Sequence, residues 1–309
     1  WEYHDYALRL LQGIYEDETF LPVIFAASAD DDWLDEKVWQ KTNPNLGMSK
    51  KLQYMREQAA KAREVPAYEN TFKRLELNIW TEQDSRWISS DLWDRAGKSI
   101  DWDRFYGSEA FIGIDLSASR DLAALALLVP KEKLLYCRCW FWMPLGTLER
   151  LPKIQRFQYE RFISEKQIDP TPGNLVDYEC IQQRVMELSS QFYIRRLGVD
   201  PWNALHLMQK FKAASIPAEE VRQIAKDMNP PTRDLMAHLH NQTVFHDNSP
   251  ILKWMASNVV VEQDAYGNIR PSKKKSSDKI DGVTAIIISL AVYLKEQAMA
   301  GGDAYRDRA

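Results

Sequence analysis

Cysteine is scarce in this chain, and its spacing excludes two common uses of the residue. Three cysteines occur among 309 residues, too few for the disulfide framework of a small secreted protein. Cys137 and Cys139 are separated by one residue, so they lack the spacing of a zinc or redox pair. With Cys180, they are predicted to be reduced packing residues of a cytosolic protein.

Three further site patterns are missing. Ala96-Gly97-Lys98-Ser99 resembles the end of a phosphate-binding loop, but Leu92 stands where that motif needs its first glycine. His238 and His240 would point to different faces of a helix, which argues against a zinc pair there. No Ser–His–Asp arrangement can be assembled with the five histidines. The sequence therefore favours none of these three chemistries.

Neither a dominant charge nor a membrane-length apolar run is present. The formal net charge of −4 does not indicate a nucleic-acid-binding protein, but it does not exclude one, because a local basic patch can bind DNA on an acidic enzyme. The most apolar stretch, 280–294, is too short to span a bilayer and predicts a core helix. No signal peptide or initiator methionine is visible, so we expect a piece of a longer protein that is neither secreted nor bound to a membrane.

The apolar pattern changes near residue 105, which predicts two regions in a chain large enough for two domains. Residues 1–104 combine helical patterns, a strand-like stretch at Phe20–Phe25 and a Trp-rich connector. Three apolar runs then predict an antiparallel meander. The runs are Ala110–Leu116, Leu122–Val129 and Leu134–Trp142. Helices alternate with strands after the meander, so the second region is predicted to be α/β, with a mixed sheet flanked by helices.

Three carboxylates stand where a buried strand ends or an apolar helix begins. Asp115 and Asp200 each end a predicted strand, and Asp281 opens the closing helix. A buried carboxylate is costly unless a cation compensates its lost hydration, and hard oxygen ligands suit Mg²⁺ or Mn²⁺. The three predict a site for two divalent ions about 3.5–4 Å apart. Asn203, just after Asp200, could orient it or contact substrate.

Each acidic residue also has a plain structural explanation. Asp115 fits an Asx turn between two strands, Asp200 fits the N-cap of the next helix, and Asp281 gains from the dipole of its own helix. Asp121 is either a further metal ligand or a solvated turn residue. Asp278 is either a helix cap or a fourth ligand. These alternatives remain open from the sequence.

A basic run precedes the third carboxylate. It consists of Arg270, Lys273, Lys274, Lys275 and Lys279. Such a run is commonly a solvated loop, but beside a metal site it would supply sequence-independent attraction for a phosphate backbone. The run is therefore a candidate DNA-binding patch.

Several distinctive motifs follow one another along nearly the whole chain. They include Asp31-Asp-Trp-Leu-Asp35, Lys41-Thr-Asn-Pro-Asn-Leu-Gly47, Leu77-Asn-Ile-Trp-Thr81, Gly113-Ile-Asp-Leu-Ser117, Asp200-Pro-Trp-Asn203, Trp254-Met-Ala-Ser-Asn-Val259 and Lys273-Lys-Lys-Ser-Ser-Asp-Lys-Ile-Asp-Gly282. In this order they resemble the large terminase subunit of tailed bacteriophages, the motor protein that packages DNA.

This resemblance implies an RNase H-like nuclease over 105–309, preceded over 1–104 by a smaller, mostly helical remnant of a packaging ATPase and a connector. The nuclease of that family cuts concatemeric double-stranded DNA with Mg²⁺ or Mn²⁺, and Asp115, Asp200 and Asp281 would be its metal ligands. Walker A and Walker B segments are absent, so no ATPase activity is expected of this chain. The implied partners are DNA, the portal protein, the small terminase subunit and the missing N-terminal ATPase region, in the host cell cytoplasm.

Two rival functions remain open from the sequence. Another RNase H-like nuclease, such as a junction resolvase or an RNA–DNA hybrid nuclease, would prefer four-way junctions or hybrids to plasmid DNA. A non-cleaving docking module would instead bind DNA or the portal without metal, and substitution of the three aspartates would leave that binding unchanged.

Overall fold

In a computed structural model, the chain forms two compact units, Trp1–Asp84 and Ser85–Ala309. The structure describes residues 2–11, 13, 16–28, 31–64, 66–79, 87–116, 121–201, 205–276 and 278–306. Residues 85–104, expected to be a connector before a boundary near 105, are grouped with the second unit. The assignment of an ATPase remnant to 1–104 and a nuclease to 105–309 remains a prediction.

The first unit contains helices packed around a small aromatic core. Trp39, Met55 and Phe72 are buried in that core. The strand predicted at Phe20–Phe25 is wrong: exposure alternates along it, but no neighbouring strand pairs with it in the described part of the unit, and a strand needs a partner for its backbone groups. The helices are α1 (Glu2–Leu11), α2 (Glu36–Thr42), α3 (Leu52–Glu64) and α4 (Pro66–Glu76).

The second unit is organised by a seven-stranded mixed sheet, in the order β4-β3-β2-β1-β5-β6 with β7 beside β3. The first three strands form the predicted antiparallel meander, and the later strands add to it in parallel. The strands are β1 (Glu109–Asp115), β2 (Ala123–Lys131), β3 (Leu134–Pro144), β4 (Asp169–Thr171), β5 (Tyr193–Val199), β6 (Ala218–Glu220) and β7 (Val244–His246). A separate hairpin joins β8 (Val261–Gln263) to β9 (Ile269–Pro271).

Helices cover both faces of the sheet. The helices are α5 (Ser90–Ala96), α6 (Leu145–Leu148), α7 (Lys153–Ser164), α8 (Tyr178–Gln191), α9 (Leu205–Ala213), α10 (Ala225–His240), α11 (Pro250–Asn258) and α12 (Asp281–Arg306). On the central strand β2, Ala124 and Ala126 join the core beneath α10, α11 and α12, whereas Leu125 and Leu127 join the core beneath α8 and α9. Burial on both faces explains why β2 is an uninterrupted apolar run. The predicted α/β architecture is confirmed.

Helix α12 lies directly on strand β1 because Gly113 leaves room for it. A Cβ atom at Gly113 would stand 2.1 Å from the carbonyl oxygen of Ala285 and 2.4 Å from the amide nitrogen of Ser289. By length and composition α12 could cross a membrane, but half of its apolar window is buried inside the unit. The helix is a core helix of the second unit, as predicted for 280–294.

Candidate metal centre

Asp115 is the last residue of β1, and its side chain is fully buried. Side chains along a strand alternate between faces, so Asp115 lies on the same face as Gly113, beneath α12. Its backbone pairs with Ala124 of β2. The carboxylate is thus fixed at the carboxyl end of a central strand.

Asp200 follows β5, the parallel neighbour of β1. Ile114 pairs with Val199 in the register of the two strands, and the Asp200 amide donates a hydrogen bond to the Ile114 carbonyl at 3.2 Å. A Cβ atom at Gly198, two residues earlier, would stand 2.9 Å from side chains of Ile288 and Val292 on α12, so the alternation again directs Asp200 towards the helix face. It is 9% exposed. Neighbouring parallel strands therefore bring two carboxylates to one edge of the sheet.

Asp281 is the first residue of α12 and is 2% exposed. Burial raises its pKa, the ammonium of Lys273 lowers it, and the carboxylate of Asp115 raises it again. The net pKa lies above the ordinary value because burial and a like charge outweigh the ion pair. The start of the helix therefore adds a third acid to the two at the strand ends.

Two side chains connect the three carboxylates. The Nζ of Lys273 lies 2.8 Å from Asp115 Oδ2 and 2.7 Å from Asp281 Oδ1. The Nε2 of Gln223 donates to Asp115 Oδ1 at 3.0 Å and to Asp200 Oδ2 at 2.6 Å. The predicted trio is thus one cluster, held by an ammonium on one side and a carboxamide on the other.

Burial lowers the pKa of Lys273, but Asp115 and Asp281 raise it by more, so the ammonium form is held. The side chain as a whole keeps 41% of its surface exposed, while its nitrogen lies against the two buried acids. Lys273 was predicted as part of a DNA-binding surface. In this structure it is the counter-charge of the carboxylate cluster.

The two auxiliary acids have other partners. Asp121 forms an ion pair with Lys279, and Asp278 accepts a hydrogen bond from the Lys279 backbone amide at 2.9 Å. Asp121 still raises the pKa of Asp281 through its charge, so it lies within electrostatic range of the cluster. Asn203 lies outside the described residues.

The remaining basic residues lie on the hairpin and the segment after it. Arg270 pairs with Glu262 at 2.7 Å and donates to the backbone carbonyl of Gln223. Lys275 Nζ lies 3.8 Å from Glu262 Oε2, and Lys274 is exposed. The basic run is therefore partly neutralised by Glu262, and the hairpin is tied to the backbone of Gln223 beside the carboxylates.

Residues 15–297 of the chain match the protein family described as "Terminase large subunit, endonuclease domain". The chain belongs to this family. It is 32% identical to the terminase large subunit of Enterobacteria phage HK97 over 91% of the chain and 56% of that relative. It is 26% identical to protein YmfN of Escherichia coli K12 over 95% of the chain and 68% of that protein. The crystal structure of the HK97 large terminase matches with a TM-score of 0.61 and 29% identity, over 94% of the chain and 60% of that structure.

Two consequences follow from this membership. The similarity to the HK97 large terminase supports the predicted RNase H-like form of the α/β fold. The chain spans little more than half the length of the HK97 relative, so the activity and partners of the whole terminase do not transfer to it directly. Membership does place the chain in a family of nucleases.

The donor set suits a hard divalent cation, although the side chains are not arranged around one. Within the described ranges, no group of three or more acidic, histidine or cysteine side chains has the arrangement of a metal site. The ammonium of Lys273 lies between two of the acids and supplies the positive charge there. Asp281 Oδ2 is buried without a hydrogen-bond partner. Asp115 Oδ2 is buried and accepts no hydrogen bond with regular geometry, but it forms an ion pair with Lys273 Nζ. Carboxylate oxygens of this kind fit Mg²⁺ or Mn²⁺.

Gln223 is the contributor that sequence reasoning missed. It lies just beyond β6, the parallel neighbour of β5, so its side chain reaches the same sheet edge as the two strand-end acids. A glutamine after a short strand carries no local signal of chemistry. If the position of β6 beside β5 had been known, Gln223 would have been identified as a neighbour of the two acids.

Proposed function

We propose that this chain is a metal-dependent endonuclease that cuts double-stranded DNA, with Asp115, Asp200 and Asp281 as its metal ligands. The observation that carries the proposal is the convergence of these three buried carboxylates, from two strand ends and one helix start. Among the described residues, Asp115 and Asp281 share the ammonium of Lys273, so two buried carboxylates face one positive charge. A divalent cation would balance both of them.

In this proposal the residues have separate tasks. The three aspartates would hold Mg²⁺ or Mn²⁺, two ions in all. When bound, such ions lower the pKa of water and stabilise the leaving oxygen of a phosphodiester. Gln223 orients Asp115 and Asp200 through its two hydrogen bonds. Asp121 and Asp278 remain proposed auxiliary ligands.

The proposed DNA surface is the basic run around the hairpin. Arg270, Lys274 and Lys275 lie on β9 and the segment after it, and Lys279 lies just before α12. Contacts of lysine and arginine to phosphates are independent of sequence and weaken with salt. We therefore expect weak base preference and a salt-sensitive affinity.

The proposed setting is genome packaging in the host cell cytoplasm. The HK97 relative is a terminase large subunit, which supports a substrate of concatemeric phage DNA. The portal protein, the small terminase subunit and a packaging ATPase region are proposed partners on the same ground.

The test is cleavage of supercoiled plasmid with Mn²⁺, with Mg²⁺ and with EDTA. Parent protein should nick and linearise the plasmid when either metal is present and should leave it intact in EDTA. Asp115→Asn keeps the side-chain shape, removes one ligand charge and should lower the rate at least about a hundredfold, more than the loss of an outer-shell partner.

A matched control is Asp91→Asn, on α5, whose carboxylate forms an exposed ion pair with Arg95. Its cleavage rate should equal that of the parent. Cleavage in EDTA, or an unchanged rate for Asp115→Asn, would contradict the proposal. Metal-independent DNA binding without any cutting would favour the docking module.

A further inference from the structure

The segment after β9 carries three consecutive lysines, and two of them have different partners. Lys273 Nζ lies within 2.8 Å of oxygens of both Asp115 and Asp281. Lys275 Nζ lies 3.8 Å from Glu262 Oε2. A turn closed by the Lys275 amide on the Ser272 carbonyl, at 3.2 Å, lies between them. The backbone therefore separates one lysine that faces the acids from one that faces the hairpin.

The ammonium of Lys273 occupies the place where a metal cation would touch both acids. Mg²⁺ approaches its oxygen ligands to about 2.0–2.1 Å, whereas Nζ lies 2.7 and 2.8 Å from the same two oxygens. An ammonium and a divalent ion repel each other, so both cannot contact these oxygens at once. A metal ion that binds Asp115 Oδ2 and Asp281 Oδ1 has to move the lysine.

We propose that Lys273 is a tethered cation that holds Asp115 and Asp281 together before a divalent ion binds, and that the ion displaces it. This inference rests on the proposed function, since it assigns the order of events at the same site. A divalent ion carries twice the charge and approaches more closely, so its Coulomb attraction to the two carboxylates is roughly two to three times that of the ammonium. This stronger attraction favours displacement, and the hydration that the divalent ion gives up opposes it.

Displacement also gives Lys273 a second role. Its side chain is already 41% exposed, and it is followed in the chain by Lys274 and Lys275. Once released from the acids, its ammonium is free to contact a phosphate, which is the DNA-binding role predicted from the sequence. Metal binding and DNA binding would then support each other, because the ion releases a positive charge beside the scissile region.

The test is a titration of the protein with Mn²⁺, without DNA, followed by the electron paramagnetic resonance of free Mn²⁺. Lys273→Met removes the competing charge and should tighten Mn²⁺ binding about tenfold, the equivalent of one charge-assisted contact. The same variant should melt at a lower temperature than the parent in EDTA, because Asp115 and Asp281 then face each other without a counter-charge.

Two further variants make the result specific. Lys275→Met removes the same charge two residues away, where it faces Glu262, and should change Mn²⁺ affinity by no more than about twofold. Lys273→Arg keeps the charge and adds a forked donor, which binds carboxylates in pairs. It should weaken Mn²⁺ binding below the parent value, and it remains informative if the methionine variant does not fold.

Each alternative outcome has one meaning. If the parent binds Mn²⁺ and Lys273→Met binds it no more tightly, the displacement inference is wrong while the proposed function stands. If Lys275→Met tightens Mn²⁺ binding as much as Lys273→Met does, the loss of any nearby positive charge has the same electrostatic effect. The displacement inference is then again wrong. If neither parent nor variants bind Mn²⁺, the inference and the metal-dependent function both fail.

Discussion

Each unit contains a buried carboxylate paired with a lysine, Glu76 in the first and Asp281 in the second, and the two differ in how completely the carboxylate oxygens are paired. In the first unit, Lys50 Nζ lies 2.5 Å from Glu76 Oε2 and donates to Asn43 Oδ1 at 2.7 Å. Tyr54 donates to the other Glu76 oxygen at 3.0 Å. One ammonium balances one carboxylate, and both carboxylate oxygens have partners.

In the second unit, two buried carboxylates share the ammonium of Lys273. Lys273 pairs with Asp115 and Asp281, Gln223 reaches Asp200, and Asp281 Oδ2 is left without a hydrogen-bond partner. Buried polar atoms in native proteins are almost always paired, so this shortfall requires an explanation. The comparison teaches that incomplete pairing, rather than burial alone, distinguishes a candidate ligand site from a structural network.

The largest difference should appear when one carboxylate is neutralised in each cluster. Glu76→Gln leaves Lys50 half-buried without its counter-charge and should lower the local free energy of opening by about 2 kcal/mol. Asp281→Asn removes one of the two carboxylates that share Lys273 and relieves its repulsion with Asp115, so it should change that free energy by less than about 1 kcal/mol without metal. Hydrogen exchange of the amides in each unit measures both. Equal destabilisation by the two substitutions would contradict the claim that the carboxylates of the two units differ in how completely they are paired.

An effect confined to acidic pH concerns His246, a buried group in the second unit whose ring nitrogens both have hydrogen-bond partners. Nε2 lies 3.0 Å from the Trp93 carbonyl and Nδ1 accepts from the Asn248 amide at 3.2 Å, an arrangement that requires the neutral ring. Burial lowers the pKa of His246 from 6.5 to about 4, although the hydrogen bond to Trp93 opposes this. The unfolded chain therefore takes up a proton first, and stability falls as pH drops from about 6.5 to about 4.

His246→Gln should remove this pH dependence. Relative to the variant, the parent should lose about 3 kcal/mol of unfolding free energy as pH falls through that window, with little further loss below it. Denaturation measured at several pH values checks the difference between the two proteins. Parallel curves for parent and variant would show that His246 is not held neutral.

The smallest expected effect concerns Gln223, the carboxamide between two of the acids. Gln223→Met keeps the length of the side chain but removes both hydrogen bonds, so Asp115 and Asp200 lose their common partner. Cleavage should fall about tenfold and the Mn²⁺ concentration needed for half-maximal rate should rise, as for outer-shell partners of metal ligands. Gln183→Met, exposed on α8 under the opposite face of the sheet, is the control. A lower rate with no change in metal requirement would mean that Gln223 does not position the ligands.

Strand ends and hydrophobic periods were sufficient to predict much of this arrangement. The apolar runs before Asp115 and Asp200 predicted two strands, and their carboxyl ends do lie together because β1 and β5 are adjacent and parallel. The apolar run after Asp281 predicted the core helix that brings the third acid. These predictions succeeded because each depends on a local pattern that burial enforces.

The partners of the carboxylates could not be predicted in the same way. Gln223 reaches the site because β6 lies beside β5, which is a property of strand order. Lys273, Lys274 and Lys275 are indistinguishable in the sequence, and the turn after Ser272 decides which one faces the acids. The strand-like stretch at Phe20–Phe25 misled because an apolar pattern does not supply a partner strand.

The most direct test of the account is a crystal of the parent protein soaked in Mn²⁺ and measured at a wavelength where manganese scatters anomalously. The account predicts anomalous peaks about 2.0–2.3 Å from carboxylate oxygens of Asp115, Asp200 and Asp281, with the ammonium of Lys273 withdrawn from between Asp115 and Asp281. Saturating Mn²⁺ with no peak at these acids, and Lys273 still bridging them, would contradict it.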